Sequence, residues 1–271
     1  MSGEVPMMLN LVPQFDLMQF FVEKNSIVRK IWGKSDSVLF VFAGASAEFA
    51  LNKAVDWLYF TGRLPADPLG RLFSTVRYAS RIIFSSMDEA NRALDSLRQI
   101  HNAVEHSRGF SIPDWAYRDV LFMLIYYSIA SYELLEKKLS DEEKQDVYDV
   151  FYRVGASMGL KELPGSYIEW LPVREAHLME DLQMSKYSTD LFKQYRTHLG
   201  VFRFKVLIEA QKLVAPDRVK ELLHFGDFSL LTPVLPIYKI SRLVKMDGLL
   251  KNILYPAGYK KQIRELDVHP D

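Results

Sequence analysis

The sequence predicts an all-α fold, and three observations carry that prediction. Apolar residues recur at steps of three and four along most of the chain, the spacing that builds one face of a helix. No apolar/polar alternation flanks an Asn-Gly or Asp-Gly turn in the manner of a hairpin. Capping boxes stand where helical patterns begin: Ser86 is followed three residues on by Glu89, and Ser140 by Glu143. With 271 residues, 49 % apolar and 25 % charged, the composition is that of an ordinary globular protein able to bury one large core.

The periodicity predicts helices at about 14–32, 36–60, 66–84, 87–107, 114–138, 141–159, 166–182, 187–198, 200–213, 216–224 and 236–252. VLFVFAGASAEFAL from Val38 and VLFMLIYYSIASY from Val120 each fall short of the roughly 20 residues that span a bilayer, and the first contains Glu48. Both read as buried core helices. The third helix carries an apolar stripe of Leu72, Val76, Ala79 and Ile83, with Arg71, Thr75, Tyr78 and Ile82 in a second line beside it. The fourth opens at the Ser86 box, and the fifth ends at Lys137-Lys138, where cations suit the negative end of the helix dipole. Pro/Gly punctuation at 61–70, 109–115 and 158–166 is too short for an interdomain linker, and no fixed-period repeat is present. Residues 1–271 read as one domain.

The segment 225–259 is apolar, with Lys239, Arg242, Lys245 and Lys251 spaced through it. Two readings stand open: an amphipathic helix lying on an anionic membrane, or a terminal helix packed on the body with its lysines solvated.

Composition excludes several functions. Lys plus Arg and Asp plus Glu number 34 each, so no global field draws in nucleic acid, and no nucleic-acid partner is expected. The absence of cysteine excludes disulfides, thiolate-ligated haem, iron–sulfur clusters, cysteine-type zinc and covalent c-type haem. The start, MSGEVPMMLNLVPQFD, lacks the basic residues and cleavage site of a secretory signal, so a cytoplasmic location is expected, with peripheral membrane contact as an addition to it. No phosphate-binding loop, dinucleotide-binding glycine motif, nucleophile elbow or paired-histidine zinc motif is found.

Two of the six histidines lie in RQIHNAVEH, 98–106. Five residues apart, they diverge by about 140° around a helix and do not share a face. Leu94, Leu97, His101 and Val104 form one stripe, which puts His101 on the buried side and turns His106 toward solvent. A buried imidazole left without a partner costs about 1–3 kcal/mol, so His101 is either a hydrogen-bonded core residue or a ligand. In EAHLME, His177 and Glu180 form either a ligand pair or a solvated helix face. Glu221 and His224 make a single ExxH, without the second copy and two further glutamates of a di-iron bundle. Arg71 and Thr75, one turn apart, could bind a carboxylate in a pocket, or lie at the surface with the threonine bonded to backbone.

Taken in order, DPLGRLFST (67–75), the helix with His101-Asn102-Ala103-Val104, LSDEEKQDVYDVFYRVGASMGL (139–160) and Leu163-Pro164 resemble a family. It is the family of the rubber oxygenase (latex-clearing protein) and the fungal oxygenase of mycophenolic acid biosynthesis, and the likeness covers about residues 36–182. The resemblance implies a helical domain like the rubber oxygenase catalytic domain, a haem b cofactor, and cleavage of carbon–carbon double bonds in isoprenoid chains with dioxygen. It implies that His101 ligates the haem iron and that Arg71 and Thr75 line the haem pocket as catalytic residues, Arg71 also contacting the cofactor. The chain departs from the pattern at four places. Leu51-Asn52 stands where many members have His-Pro, Thr61 where they have a further histidine, and Ser74 where the rubber oxygenase has an iron-capping lysine. The proposed catalytic carboxylate of that enzyme has no firm counterpart, Glu48 and Asp56 being nearest. The expected partner is a hydrophobic small molecule. The competing expectation is a non-catalytic helical protein that binds an apolar ligand or a membrane, and an interaction scaffold is a third.

Overall fold

Two helices that are apolar on every side form the centre of the molecule. The computed structural model describes residues 19–62, 66–243 and 259–267; among them there is no β-sheet, only isolated bridges joining Phe20 to Ser86 and Asn52 to Leu182. The helices are α1 (Ile27–Trp32), α2 (Ser35–Leu51), α3 (Val55–Phe60), α4 (Pro68–Phe84), α5 (Met87–Arg108) and α6 (Asp114–Leu135). After these come α7 (Asp141–Ser157), α8 (Tyr167–Glu180), α9 (Lys186–Val214), α10 (Asp217–Leu222), α11 (Val234–Leu243) and α12 (Lys260–Arg264). The fold is all-α. No helix among the described residues is long and apolar enough to cross a membrane.

The central pair, α2 and α6, is buried because a helix that is hydrophobic all round has no face to give to water. Gly44 lets the two approach: a Cβ there would run into the Tyr127 ring. Trp32, at the end of α1, is fully buried, packs edge-on to Phe42 at 6.0 Å and donates its Nε1–H to Ser128 Oγ at 3.0 Å. Trp170 of α8 fills the opposite flank of α6, 6.0 Å from Phe122. Each such fully buried large side chain stabilises the fold by roughly 1.5–3 kcal/mol. The Ser86/Glu89 and Ser140/Glu143 boxes start α5 and α7 as the sequence predicts, with both reciprocal bonds made.

Four boundaries differ from the sequence-based expectation. The helix expected over 14–32 is helical only from Ile27, because the Ser26 side chain accepts from Val28 N–H at 3.1 Å and starts a helix there; residues 14–18 lie outside the described residues. The helix expected over 36–60 is two helices, broken at Asn52. Asn52 Oδ1 accepts from Ala54 N–H at 2.8 Å while Nδ2 donates to Asp119 Oδ2, so the side chain competes with helical continuation. The helices expected over 187–198 and 200–213 run as one element with a break at Gly200 (φ 73, ψ 167), a conformation that glycine adopts without penalty. The last expected helix begins at Val234 and is described only to Leu243, and α12 has no counterpart in the expectation.

α11 is also oriented differently from a helix with solvated cations. Arg242 turns inward, its Nε 3.2 Å from Asp36, and it also pairs with Glu136. Ile237 and Ile240 face outward, with Ile237 65 % exposed. Lys245 and Lys251 lie outside the described residues.

Asn52→Ala removes a bond to the buried Asp119 carboxylate and the cap on Ala54. Hydrogen bonds to charged groups contribute about 1.5–3 kcal/mol, so we expect a loss of about 2 kcal/mol, seen as a lower urea midpoint with unchanged slope. An unchanged midpoint would mean that the Asn52 bonds add nothing.

Candidate functional site

A cavity of about 1500 Å³ opens among α2, α4, α5, α6, α7, α9 and α11, with Ile263 of α12 closing part of it. That exceeds the roughly 300–1,000 Å³ of common small-molecule pockets. Its wall is mostly apolar, with Phe40, Phe49, Ile83, Leu97, Val154 and Leu207 among the lining residues.

α4 is started by Asp67, whose Oδ1 accepts from Gly70 N–H at 2.8 Å, with Pro68 in the first turn. This cap fixes the turn from which Arg71 projects. Thr75, one turn later, donates its hydroxyl to the Arg71 carbonyl at 3.2 Å and keeps its oxygen lone pairs as acceptors. α5 brings His101 to the same cavity. Arg71, Thr75 and His101, read separately from the sequence, therefore line one wall-to-wall space. Ser74 and Thr61 line it too.

His101 is half-buried, with its ring edge against Tyr117 at a centroid distance of 5.1 Å. Its Nδ1 is buried and makes no hydrogen bond among the described residues. Burial lowers its pKa, the Arg71 charge lowers it further, and Glu105 opposes both. The ring is held neutral, the form that donates a lone pair to a metal. Tyr117 is anchored by its hydroxyl on Glu105 Oε1 at 3.2 Å, and the same oxygen accepts from Ile112 N–H at 2.8 Å. Burial, and then the Glu105 charge, push the Tyr117 phenol well above its ordinary range. Gly109 (φ 77) ends α5 just beyond this group.

Three charged side chains line the cavity: Asp36, Arg71 and Arg203. Asp36 is committed elsewhere, to Tyr238 Oη at 3.0 Å and to Arg242. Neither Glu48 nor Asp56 is on the wall. Glu48 is 1 % exposed, accepts from Tyr127 Oη at 2.9 Å and pairs with Arg174; Asp56 pairs with Arg108 at 2.7 Å. Leu51 belongs to the core and Asn52 to the turn described above. His106 is exposed, as its position on the helix predicts.

The solvated-face reading of His177 is wrong. Its Nδ1 meets Asp119 Oδ1 and lies 3.5 Å from Asp181 Oδ2, while Glu180 is exposed and takes no part. Asp119, His177 and Asp181 bring ligand atoms within 4.8 Å of one another. Both Asp119 oxygens are already engaged, by Asn52 and by His177, so the group is a closed polar network between α2, α6 and α8. Burial and the Asp119 charge raise the Asp181 carboxyl above its usual range. Trp170, Arg174 and Leu178, at steps of four, mark the inner stripe of α8, and His177 beside Leu178 shares it. That stripe was the missed signal.

The family model of the ER-bound oxygenase mpaB/B' and rubber oxygenase catalytic domain matches residues 30–241. The chain belongs to this family of oxygenase catalytic domains. The match runs well beyond residues 36–182, where the sequence motifs lie, and takes in α9 and most of α11. Comparisons with curated proteins and with solved structures found no match.

Proposed function

We propose that this protein is a haem b-dependent oxygenase that acts with dioxygen on a hydrophobic, isoprenoid-type substrate. One observation carries the reading: a neutral imidazole, buried at Nδ1 and without a hydrogen-bond partner, stands on a large apolar cavity beside an arginine. With no protein group claiming the ring, the imidazole would be available to a metal. His101 would hold the iron, Arg71 would neutralise a propionate, and Thr75 would accept or donate at the same wall. Bound there, the haem would supply the O₂ chemistry that these side chains lack. The residues themselves exclude water and orient an apolar chain. Among the described residues Asp36 is the lining carboxylate, and it is already engaged with Tyr238 and Arg242. Ser74 offers a hydroxyl where a lysine would bring a competing cation.

The test is a titration of the purified protein with haemin, followed by incubation with an isoprenoid under oxygen. A Soret band saturating at one equivalent and carbonyl products support the reading. A haemin spectrum that the protein leaves unchanged sinks it, and a non-catalytic binder of apolar ligands then leads.

The exposed face of α11 favours a membrane contact as part of this function. Ile237 and Ile240 point outward from a helix whose Val234, Leu235 and Tyr238 line the cavity, so an apolar substrate would pass directly from a lipid surface to the pocket. We expect the protein to float with anionic vesicles and the Ile237→Glu/Ile240→Glu variant to stay behind. Equal flotation of the two would remove α11 from the contact.

A further inference from the structure

The remaining lining charge, Arg203, is unexplained by any of these roles. Its guanidinium is permanently charged at physiological pH. Asp36 has Tyr238 and Arg242, and Arg71 has an interaction of its own. Arg203 has no ion pair, hydrogen bond or ring contact among the described residues, and its Nε is buried. A guanidinium drawn part-way out of water onto an apolar wall gains from an anionic partner. Half-buried on that wall, and without a partner among the described residues, Arg203 is placed to meet an anion held in the cavity.

The backbone supports this. α9 breaks at Gly200 with φ 73, and a Cβ at that position would meet nothing within 4 Å. Crowding does not require glycine there; the left-handed backbone does. The break re-aims the second half of α9, which then contributes Phe202, Arg203, Val206, Leu207 and Ala210 to the cavity wall.

We infer that Arg203 is the anion-recognition residue of the cavity, binding a carboxylate carried by an otherwise apolar occupant. It deepens the oxygenase reading by narrowing the substrate class to an apolar chain with one acidic end, yet it requires only the cavity. Two sources supply that chemistry: the head of a free amphiphile, or the propionate of a bound porphyrin. A planar guanidinium takes either through paired N–H donors, and the surrounding apolar wall strengthens the bond.

The experiment uses the full chain and two matched pairs of probes. Hexadecanoic acid is compared with hexadecanol, and haemin with haemin dimethyl ester, by equilibrium binding to wild type, Arg203→Gln and Arg203→Lys. For at least one pair, wild type should prefer the acid by roughly ten- to hundredfold, the range a charge-assisted bond gives. Arg203→Gln should abolish that preference for the fatty acid, or cut it at least about fivefold for haemin, where Arg71 can still meet a propionate, while changing affinity for the neutral partner by less than about threefold; Arg203→Lys should restore part of it. Discrimination of the free acid identifies a substrate head; discrimination of haemin identifies the propionate. No preference in wild type for either acid, or a preference that is undiminished in Arg203→Gln, overturns the assignment. The outcomes separate from the cofactor reading. Acid discrimination without a Soret band sustains Arg203 and defeats the haem assignment, whereas a Soret band without discrimination does the reverse. Melting curves establish that the variants are folded, and a loss of both acid and alcohol binding in a folded Arg203→Gln protein would also count against the inference.

Discussion

His101→Ala is expected to abolish haem retention while leaving the helical fold intact. The two halves of that expectation rest on different observations. Retention depends on the imidazole because, among the described histidines, His101 lines the cavity and the others do not. The fold does not depend on it because Nδ1 makes no hydrogen bond, so its loss leaves no protein group unpaired. Removing an unsatisfied buried group costs little and can stabilise. A structural core histidine would behave in the opposite way, with alanine lowering the melting temperature. His106→Ala serves as the control, since that side chain is exposed. Pyridine haemochrome assay of both variants after haemin loading decides the matter: equal occupancy rejects His101 as the ligand. Free imidazole added to His101→Ala should restore part of the Soret band.

The same residue sets a pH signature. Its folded pKa is lowered from the ordinary value near about 6.5. As pH falls through that value toward the lower folded one, the unfolded chain gains a proton that the folded chain does not. Stability therefore declines in that window and is unaffected by this group above it. His101→Ala should flatten this part of the stability profile.

Arg174→Leu is the substitution expected to cost most in stability. Arg174 and Glu48 are both almost fully buried and pair with each other between α8 and α2. Among the described residues Tyr127 would be the hydrogen-bond donor left to Glu48. Breaking a buried pair by deleting one partner typically costs about 3–5 kcal/mol, which for a chain of this size lowers the melting temperature by roughly 10 °C. Removing both charges, as Glu48→Leu/Arg174→Leu, should recover most of the loss because neither charge is then stranded. Thermal melts of the two variants compare them directly. A double variant no more stable than the single one would show that packing, and not the stranded charge, sets the cost.

Much of this molecule is legible in its sequence, for identifiable reasons. Periodicity gives α5, α6 and α7 closely, and the Ser86 and Ser140 boxes give their starts because capping is a local interaction. The stripe through Leu94, Leu97 and His101 points the histidine at the cavity for the same reason. What escapes is non-local. Asn52 breaks a helix by bonding Asp119, 67 residues away, and no helical pattern carries that information. His177 looks like a surface residue until Asp119 is brought against it. Arg203 follows a glycine that the sequence marks only as a helix boundary, and its lack of a partner becomes visible once α9 is folded over the cavity. α12 is too short for a periodicity to register.

The closing wall of the cavity is also the part of the described chain that leaves the ribosome last. Tyr259 stacks on Phe73 at 4.6 Å and donates to Asp67 at 3.1 Å, Ile263 is fully buried, and Asp267 accepts from Ser35 N–H at 2.7 Å. Arg71 and His101 emerge far earlier. At roughly 5–20 residues per second, about ten seconds or more of synthesis separate His101 from α12. Until α12 is made the wall lacks Ile263, so a bulky group is expected to enter from that side more freely than after synthesis is complete. A group added to the finished protein meets a different obstacle, the polar clasp by which Tyr238 and Arg242 of α11 hold Asp36. Acquisition during translation and exchange afterwards are therefore expected to meet separate barriers, one set by chain growth and the other by the release of that clasp.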